Sequence, residues 1–147
     1  MLKQPGCELC ETEGGRLVLS NEFLRVVLVD HADFPGFARV VWNDHVREMS
    51  DLAAAGQMRM MQTVFAVERA QRAVLEPAKI NLASLGNVTP HLHWHVIPRA
   101  ADDSHFPQPI WGQKQRNAGA EALAARRALL DRLRCRIAEE VARVRPS

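Results

Sequence analysis

Three of the chain's six histidines fall within five consecutive positions, His91-Leu92-His93-Trp94-His95, with Val96 and Ile97 continuing the stretch. Successive side chains of a β-strand point to opposite faces, so this spacing puts His91, His93 and His95 on one face of a sheet and Leu92, Trp94 and Val96 on the other. One face is chemistry and the other is core. Near the other end, Cys7 and Cys10 stand in C-x-x-C spacing. Two cysteines so placed can bind one metal ion as the first half of a four-ligand site. With three cysteines in all, and Cys135 inside a helical pattern, they do not read as a disulfide framework. A redox C-x-x-C is also disfavoured, because Cys7 does not follow a strand in a βαβ pattern.

These groups need a scaffold, and the composition describes one. The chain has 147 residues, 47% hydrophobic and 24% charged, which fits a single domain with a substantial core. It contains no run of 18 apolar residues long enough to span a bilayer. Met1-Leu2-Lys3-Gln4-Pro5-Gly6 lacks the apolar stretch of a signal peptide, so a cytoplasmic location is expected. From Lys114 onward nine Lys or Arg face four Asp or Glu, giving +5 and leaving −3 for residues 1–113 of the total +2. That asymmetry reads as a solvated Arg-rich helix face rather than a nucleic-acid surface.

The elements that carry the histidines can be followed along the chain. Arg16 to Ser20 and Phe23 to Asp30 read as a hairpin around Asn21-Glu22, and Phe37 to Trp42 as a third strand after the break at Asp33-Phe34-Pro35-Gly36. Ser50 is a candidate N-cap for a long helix from Leu52 to Leu75, with Met61, Val64 and Phe65 marking its apolar face. Glu76-Pro77 ends it. Lys79 to Leu85 is a fourth strand, Gly86-Asn87 a turn, and the histidine strand runs from beyond Pro90 to Pro98. A Pro-rich loop through Trp111 precedes a second helix, about Ala120 to Val144, whose Leu130, Leu133, Ile137, Val141 and Val144 form one apolar stripe. The order βββαββα predicts an α+β domain: an antiparallel sheet of about five strands, one long helix packed on it, and an additional C-terminal helix. The boundary falls between residues 1–112, the C-x-x-C segment included, and a helical extension over 113–147.

His-Leu-His-Trp-His-Val-Ile resembles the signature of the histidine triad (HIT) superfamily of nucleotide hydrolases and transferases. The likeness extends over roughly residues 7 to 111 and is strongest to a bacterial branch with Asp-Phe-Pro-Gly-Phe, Trp-Asn-Asp-His-Val and Ile-Asn-Leu-Ala-Ser-Leu-Gly-Asn around the triad. It implies that His93 attacks an α-phosphorus and forms a nucleotidyl-histidine that water hydrolyses, in the class of dinucleoside polyphosphates or nucleoside phosphoramidates. An imidazole suits the step, being an uncharged nucleophile at neutral pH. By the same resemblance His95 contacts the phosphate, Asn81, Gly86, Asn87 and Thr89 stand where the family places phosphate or leaving-group contacts, and Asp30 where it holds ribose hydroxyls. Asn87 and Thr89 are conservative replacements. Phe37 is a departure, since many members carry a histidine there that helps order the triad.

The resemblance also completes a metal set. Some relatives join a C-x-x-C to a histidine after the third strand and to the first triad histidine, here Cys7, Cys10, His45 and His91, which implies structural zinc. It further implies a homodimer, with the stripe from Leu130 to Val144 either forming the interface or folding back on its own subunit. Two other functions remain open at this level. The triad can itself ligate a catalytic metal, although no carboxylate follows it before Asp102 and Asp103. Alternatively, with Phe37, the chain is a nucleotide-binding regulatory protein of weak catalysis.

Overall fold

The computed structural model describes residues 1–144. Helix α1 (Glu8–Glu11) is one turn long and is followed by strands β1 (Arg16–Ser20), β2 (Leu24–Leu28) and β3 (Ala38–Trp42). A 3-10 turn (Met49–Asp51) leads into α2 (Ala54–Leu75), then β4 (Lys79–Ala83), β5 (His93–Arg99), α3 (Ala120–Arg127) and α4 (Leu130–Ala142). The strands form one antiparallel sheet in the order β1-β2-β3-β5-β4, which puts the histidine strand next to the centre. The hairpin closes because Asn21 Oδ1 accepts from the backbone N–H groups of Phe23 and Leu24, an Asx turn.

Period-two alternation gives the sheet two different faces. Leu24, Val26, Leu28, Ala38, Val40, Leu92 and Val96 meet Met60, Val64, Val67, Ala70 and Val74 of α2, whose 3 and 4 residue spacing makes a single buried stripe. Helix α4 lies against α2, and its Leu133 and Ile137 are buried in the same core. The C-terminal stripe therefore folds back on its own subunit.

Three local expectations are corrected. The long helix starts at Ala54, because Ser50 is inside the 3-10 turn, where Glu48 and Asp51 cap each other reciprocally. The histidine strand begins at His93, yet the alternation extends back through Leu92 and His91, held by hydrogen bonds from Trp42 N to Leu92 O and from Leu92 N to Val46 O. The C-terminal helix breaks at Ala128-Leu129, although neither residue is a helix breaker. Leu129, Leu130 and Leu133 all pack on the core, and the irregular turn lets them do so. Helix approach also explains Gly36, which has φ +88° and whose missing Cβ would lie 2.6 Å from Leu75 and 3.3 Å from Leu133.

The other sheet face is covered only at its two ends. Cys7, Leu9 and Cys10 pack on Val41 at one end, and Phe34, Phe37 and Ile110 pack on Ile97 at the other. His93 and His95 lie between these covers. Among the described residues no helix is long and apolar enough to cross a membrane.

Candidate functional site

His93 and His95 are neighbours on one face of β5, with ring centroids 4.7 Å apart and rings nearly perpendicular. Only 7% and 5% of each residue is exposed. His93 Nδ1 lies 2.6 Å from the carbonyl oxygen of His91, and a carbonyl can only accept, so the proton is on Nδ1. Nε2 then carries the lone pair. Burial pushes the His93 imidazole below its ordinary range, against the opposing effect of that hydrogen bond, and the ring is held neutral. Burial, with the charges of His93 and Arg39 adding to it, pushes His95 down to about 3.

His95 is walled by Phe37, at 5.5 Å between ring centroids, and by Trp111 at 5.0 Å. Its Nδ1 is buried with no hydrogen-bond partner. A buried orphan N–H is rarer than a buried orphan acceptor, which favours the tautomer with the proton on Nε2. The two rings thus offer complementary atoms: a lone pair on His93 Nε2 and a donor on His95 Nε2. Phe37 gives His95 an apolar wall and can offer it no hydrogen bond.

His91 faces away from this pair. Its Nε2 lies 2.6 Å from the carbonyl oxygen of Trp42 and must donate to it, so Nδ1 has the free lone pair. Nδ1 is 3.5 Å from Cys7 Sγ and 3.4 Å from Cys10 Sγ, and His45 Nδ1 is 3.4 Å from Cys10 Sγ. The four donor atoms of Cys7, Cys10, His45 and His91 lie within 4.8 Å of one another. The segment is tied down by hydrogen bonds from His45 N to Leu2 O and from Leu2 N to Asp44 Oδ1, both 2.8 Å. Burial, opposed by the hydrogen bond from Gln4 N–H and reinforced by the neighbouring Cys7, pushes the Cys10 thiol up, and a divalent cation reverses that cost by stabilising thiolates. The donor types, their convergence and the free lone pair on His91 fit zinc. With His91 Nδ1 aimed at the cysteines and His93 Nδ1 committed to a carbonyl, the triad does not converge on one ion.

The remaining candidates separate. Asn81 pairs with Ile97 on the histidine face, and its Oδ1 accepts from Arg99 at 2.8 Å, leaving its amide N–H groups free. It lines a cavity of about 490 Å³ with Ile97, Pro107, Pro109, Ile110 and Trp111. Asp30 lies in a different cavity, about 280 Å³, with Arg16, His31, Arg127 and Leu130. No triad histidine lines it. Gly86 turns the chain with φ +70°, Asn87 is exposed, and Thr89 Oγ1 donates to Glu8 of α1 at 3.5 Å.

Three contributors have no sequence signature of their own. Arg39 sits opposite His95 in the β3–β5 register and so shares its face. Trp111 reaches His95 from the Pro-rich loop. That loop is anchored by Arg99, 1% exposed, which pairs with Asp103 through Nε at 2.8 Å and Nη2 at 3.0 Å and donates to Gln108 O at 2.7 Å. Arg99 recurs at period two with His93, His95 and Ile97 on β5, a clue to its face, whereas Arg39 on β3 offered none.

An antiparallel sheet with alternating histidines on one face and a long helix on the other defines the class: a histidine-triad fold. The chain matches the HIT domain family over residues 13–102, well over half its length, and belongs to that family. It is similar in structure to a histidine triad protein from Bradyrhizobium japonicum, with 28% identity, TM-score 0.70, and coverage of 85% of this chain and 92% of that one. A histidine triad protein from Marinobacter aquaeolei shares 25% identity at TM-score 0.70, covering 93% and 99%. A zinc-bound histidine triad family protein from Mycobacterium smegmatis shares the fold at 20% identity and TM-score 0.58, covering 87% and 95%. No curated protein matches the chain in sequence.

Proposed function

We propose that the chain is a nucleotide hydrolase or nucleotidyltransferase in which His93 is the nucleophile. The observation that carries this is the 2.6 Å hydrogen bond from His93 Nδ1–H to His91 O, which fixes the tautomer and leaves the Nε2 lone pair for attack. Nε2 forms a bond to the α-phosphorus, the bond from phosphorus to the leaving oxygen or nitrogen breaks, and the leaving group takes up a proton. Water then attacks the same phosphorus, the Nε2–P bond breaks, and a nucleoside monophosphate leaves. His95 Nε2–H donates to a non-bridging oxygen as charge develops on it. Asn81, Gly86, Asn87 and Thr89 are the candidate partners for phosphate and leaving group, and Asp30 for ribose. Since Asp30 opens into a separate cavity, its role requires the substrate to reach around Phe37.

Cys7, Cys10, His45 and His91 are proposed to hold structural zinc, as the zinc-bound mycobacterial relative encourages. Bound there, zinc supplies a cross-link between the N-terminal segment and the histidine strand. Because the carbonyl that orients His93 belongs to His91, the same cross-link holds the nucleophile.

A homodimer is proposed through the open edge of β4. The stripe on α4 is occupied by α2, whereas β4 ends the sheet and carries exposed Leu82, with exposed Leu85 and Val88 just beyond it. A dimer by light scattering at micromolar concentration is the expected result. A monomer at tens of micromolar rejects it.

The chemistry is tested with dinucleoside polyphosphates, nucleoside phosphoramidates, aminoacyl adenylates and nucleotide sugars, assayed for nucleoside monophosphate release and for covalent nucleotide on His93. His93→Ala should lower turnover by on the order of 10⁴ with nucleotide affinity within a few-fold. Retained activity in that variant refutes the assignment. Tight nucleotide binding without any nucleotidyl-enzyme identifies the regulatory alternative, which the apolar Phe37 beside His95 keeps open.

A further inference from the structure

Two arginines project from neighbouring strands onto the histidine face, and they are treated very differently. Arg25 pairs with Val41 in the β2–β3 register. Its guanidinium is spent on structure: it donates to the carbonyls of Glu13, Leu9 and Thr12 at 2.7–3.1 Å and to Asn43 Oδ1 at 3.2 Å, and lies 3.4 Å from a Glu13 carboxylate oxygen. It closes the N-terminal segment onto the sheet. Arg39 makes one hydrogen bond, from Nη1 to Gly14 O at 3.0 Å. Its Nε is buried without an acceptor, and among the described residues no carboxylate lies within 4.0 Å of it.

Arg39 is half-buried, and leaving its buried Nε without an acceptor is unfavourable, which native structures rarely do without an explanation such as a ligand. Here the position supplies one. Arg39 stands directly across from His95, two register pairs from Val41 and His93 and so on the same face, in a strand hydrogen-bonded on both sides. A planar, fixed-charge fork with free N–H groups beside a nucleophile fits an anion with two oxygens on one centre.

We propose that Arg39 is a phosphate-binding residue of this site, its free N–H groups contacting non-bridging oxygens of the α-phosphate that His93 attacks. The assignment rests on the nucleotide chemistry proposed above. The shared row with His95 selects the α-phosphate over the leaving group, because the two side chains flank one point of the sheet. Both then act on a group that every candidate substrate presents.

Arg39→Gln and Arg39→Lys are compared with the parent chain on a nucleoside 5′-phosphoramidate, whose leaving group is an uncharged amine, and on a dinucleoside tetraphosphate, whose leaving group is polyanionic. Nucleoside monophosphate and free nucleoside binding are measured by calorimetry. Arg39→Gln should lower kcat/KM on both substrates by on the order of 100-fold, to within a few-fold of each other, as expected for loss of one oxyanion donor. It should weaken monophosphate binding by about tenfold and leave nucleoside binding unchanged, while Arg39→Lys, keeping charge without the fork, falls between.

Monophosphate affinity and both rates within twofold of the parent, in a background where His93→Ala is inactive, overturn the Arg39 assignment and leave the nucleophile standing. A loss confined to the tetraphosphate overturns the α-phosphate placement. If the parent itself releases no monophosphate and forms no adduct at His93, the functional reading fails instead. Melting temperature is followed throughout, and should Arg39→Gln not fold, an Arg39→Lys variant with parental rates and affinity decides against the proposal.

Discussion

The two covers of the histidine face solve one problem by opposite chemistry. At the Ile97 end the loop over residues 101–116 is pinned by a buried ion pair complete within the chain: Arg99 is shared among Asp103, Asn81 Oδ1 and Gln108 O, and Asp103 also accepts from the backbone N–H groups of His105 and Phe106. At the His91 end two thiols and two imidazoles converge, their donor atoms within 4.8 Å of one another. The first cover is finished by folding alone, and the second, on the zinc proposal, is finished by a ligand. On that proposal the end that carries Phe37 and Trp111 is permanent, and the end that orients His93 is conditional on metal.

Breaking the permanent cover should have the largest effect on stability. Asp103→Ala leaves Arg99 buried without its counter-ion, a change that typically costs about 3–5 kcal/mol. At ~2–4 °C for each kcal/mol in a chain of this size, melting should fall by on the order of 10 °C, with or without added zinc. Trp111 would lose its anchor as well, so turnover should fall in the variant that remains folded. A melting temperature within 2 °C of the parent, by calorimetry, would mean that the loop is held by something other than the ion pair.

Removing a metal ligand should have a smaller but metal-specific effect. The parent should contain close to one zinc per chain by elemental analysis. Cys10→Ser should lose the metal, melt several degrees lower, and slow turnover by about 10–100-fold although Cys10 touches no substrate. Brief chelation of native protein should leave activity intact, because the site is buried. Metal-free parent protein of unchanged melting temperature discards zinc, and rapid chelator inactivation of a folded chain instead favours a catalytic ion.

The conditional cover was the more legible of the two in the sequence. Cysteine and histidine are rare and their spacing is informative, so Cys7, Cys10, His45 and His91 could be grouped, with help from a family likeness, before any fold was known. The alternation from His91 to Ile97 likewise revealed the two-faced strand, and the order of elements along the chain the sheet of about five strands. The permanent cover was illegible because arginine and aspartate are ordinary surface residues until burial is known, and nothing in Arg99-x-x-x-Asp103 announces that both are inside. Arg39 was missed for the same reason. The break at Ala128-Leu129 comes from tertiary packing overriding two good helix formers, and Asp30 was placed by likeness alone, with nothing in its own residue type to say which cavity it lines.

Acid should separate the two covers by a smaller effect. His91, His93 and His95 are all held below the ordinary histidine value of 6.5 chiefly by burial, His95 to about 3. A group with a depressed folded pKa binds fewer protons folded than unfolded, so its stability contribution is complete above pH 6.5 and declines as pH falls toward the folded value. Asp103 works in the same direction in a lower window. Burial alone would raise its carboxyl, but hydrogen bonds from Arg99 and from the His105 and Phe106 backbone hold it below 3.8, so its contribution survives until pH falls below that value. Between pH 6.5 and about 4 the histidine face should therefore lose stability while the Arg99–Asp103 pair holds. Measured in the Cys10→Ser background, where metal release adds nothing, melting temperature should decline over this interval, and a further His95→Asn change should flatten the decline. Equal slopes with and without His95 would show that its burial leaves folding insensitive to this proton, and would remove the histidine face as the acid-sensitive side of the sheet.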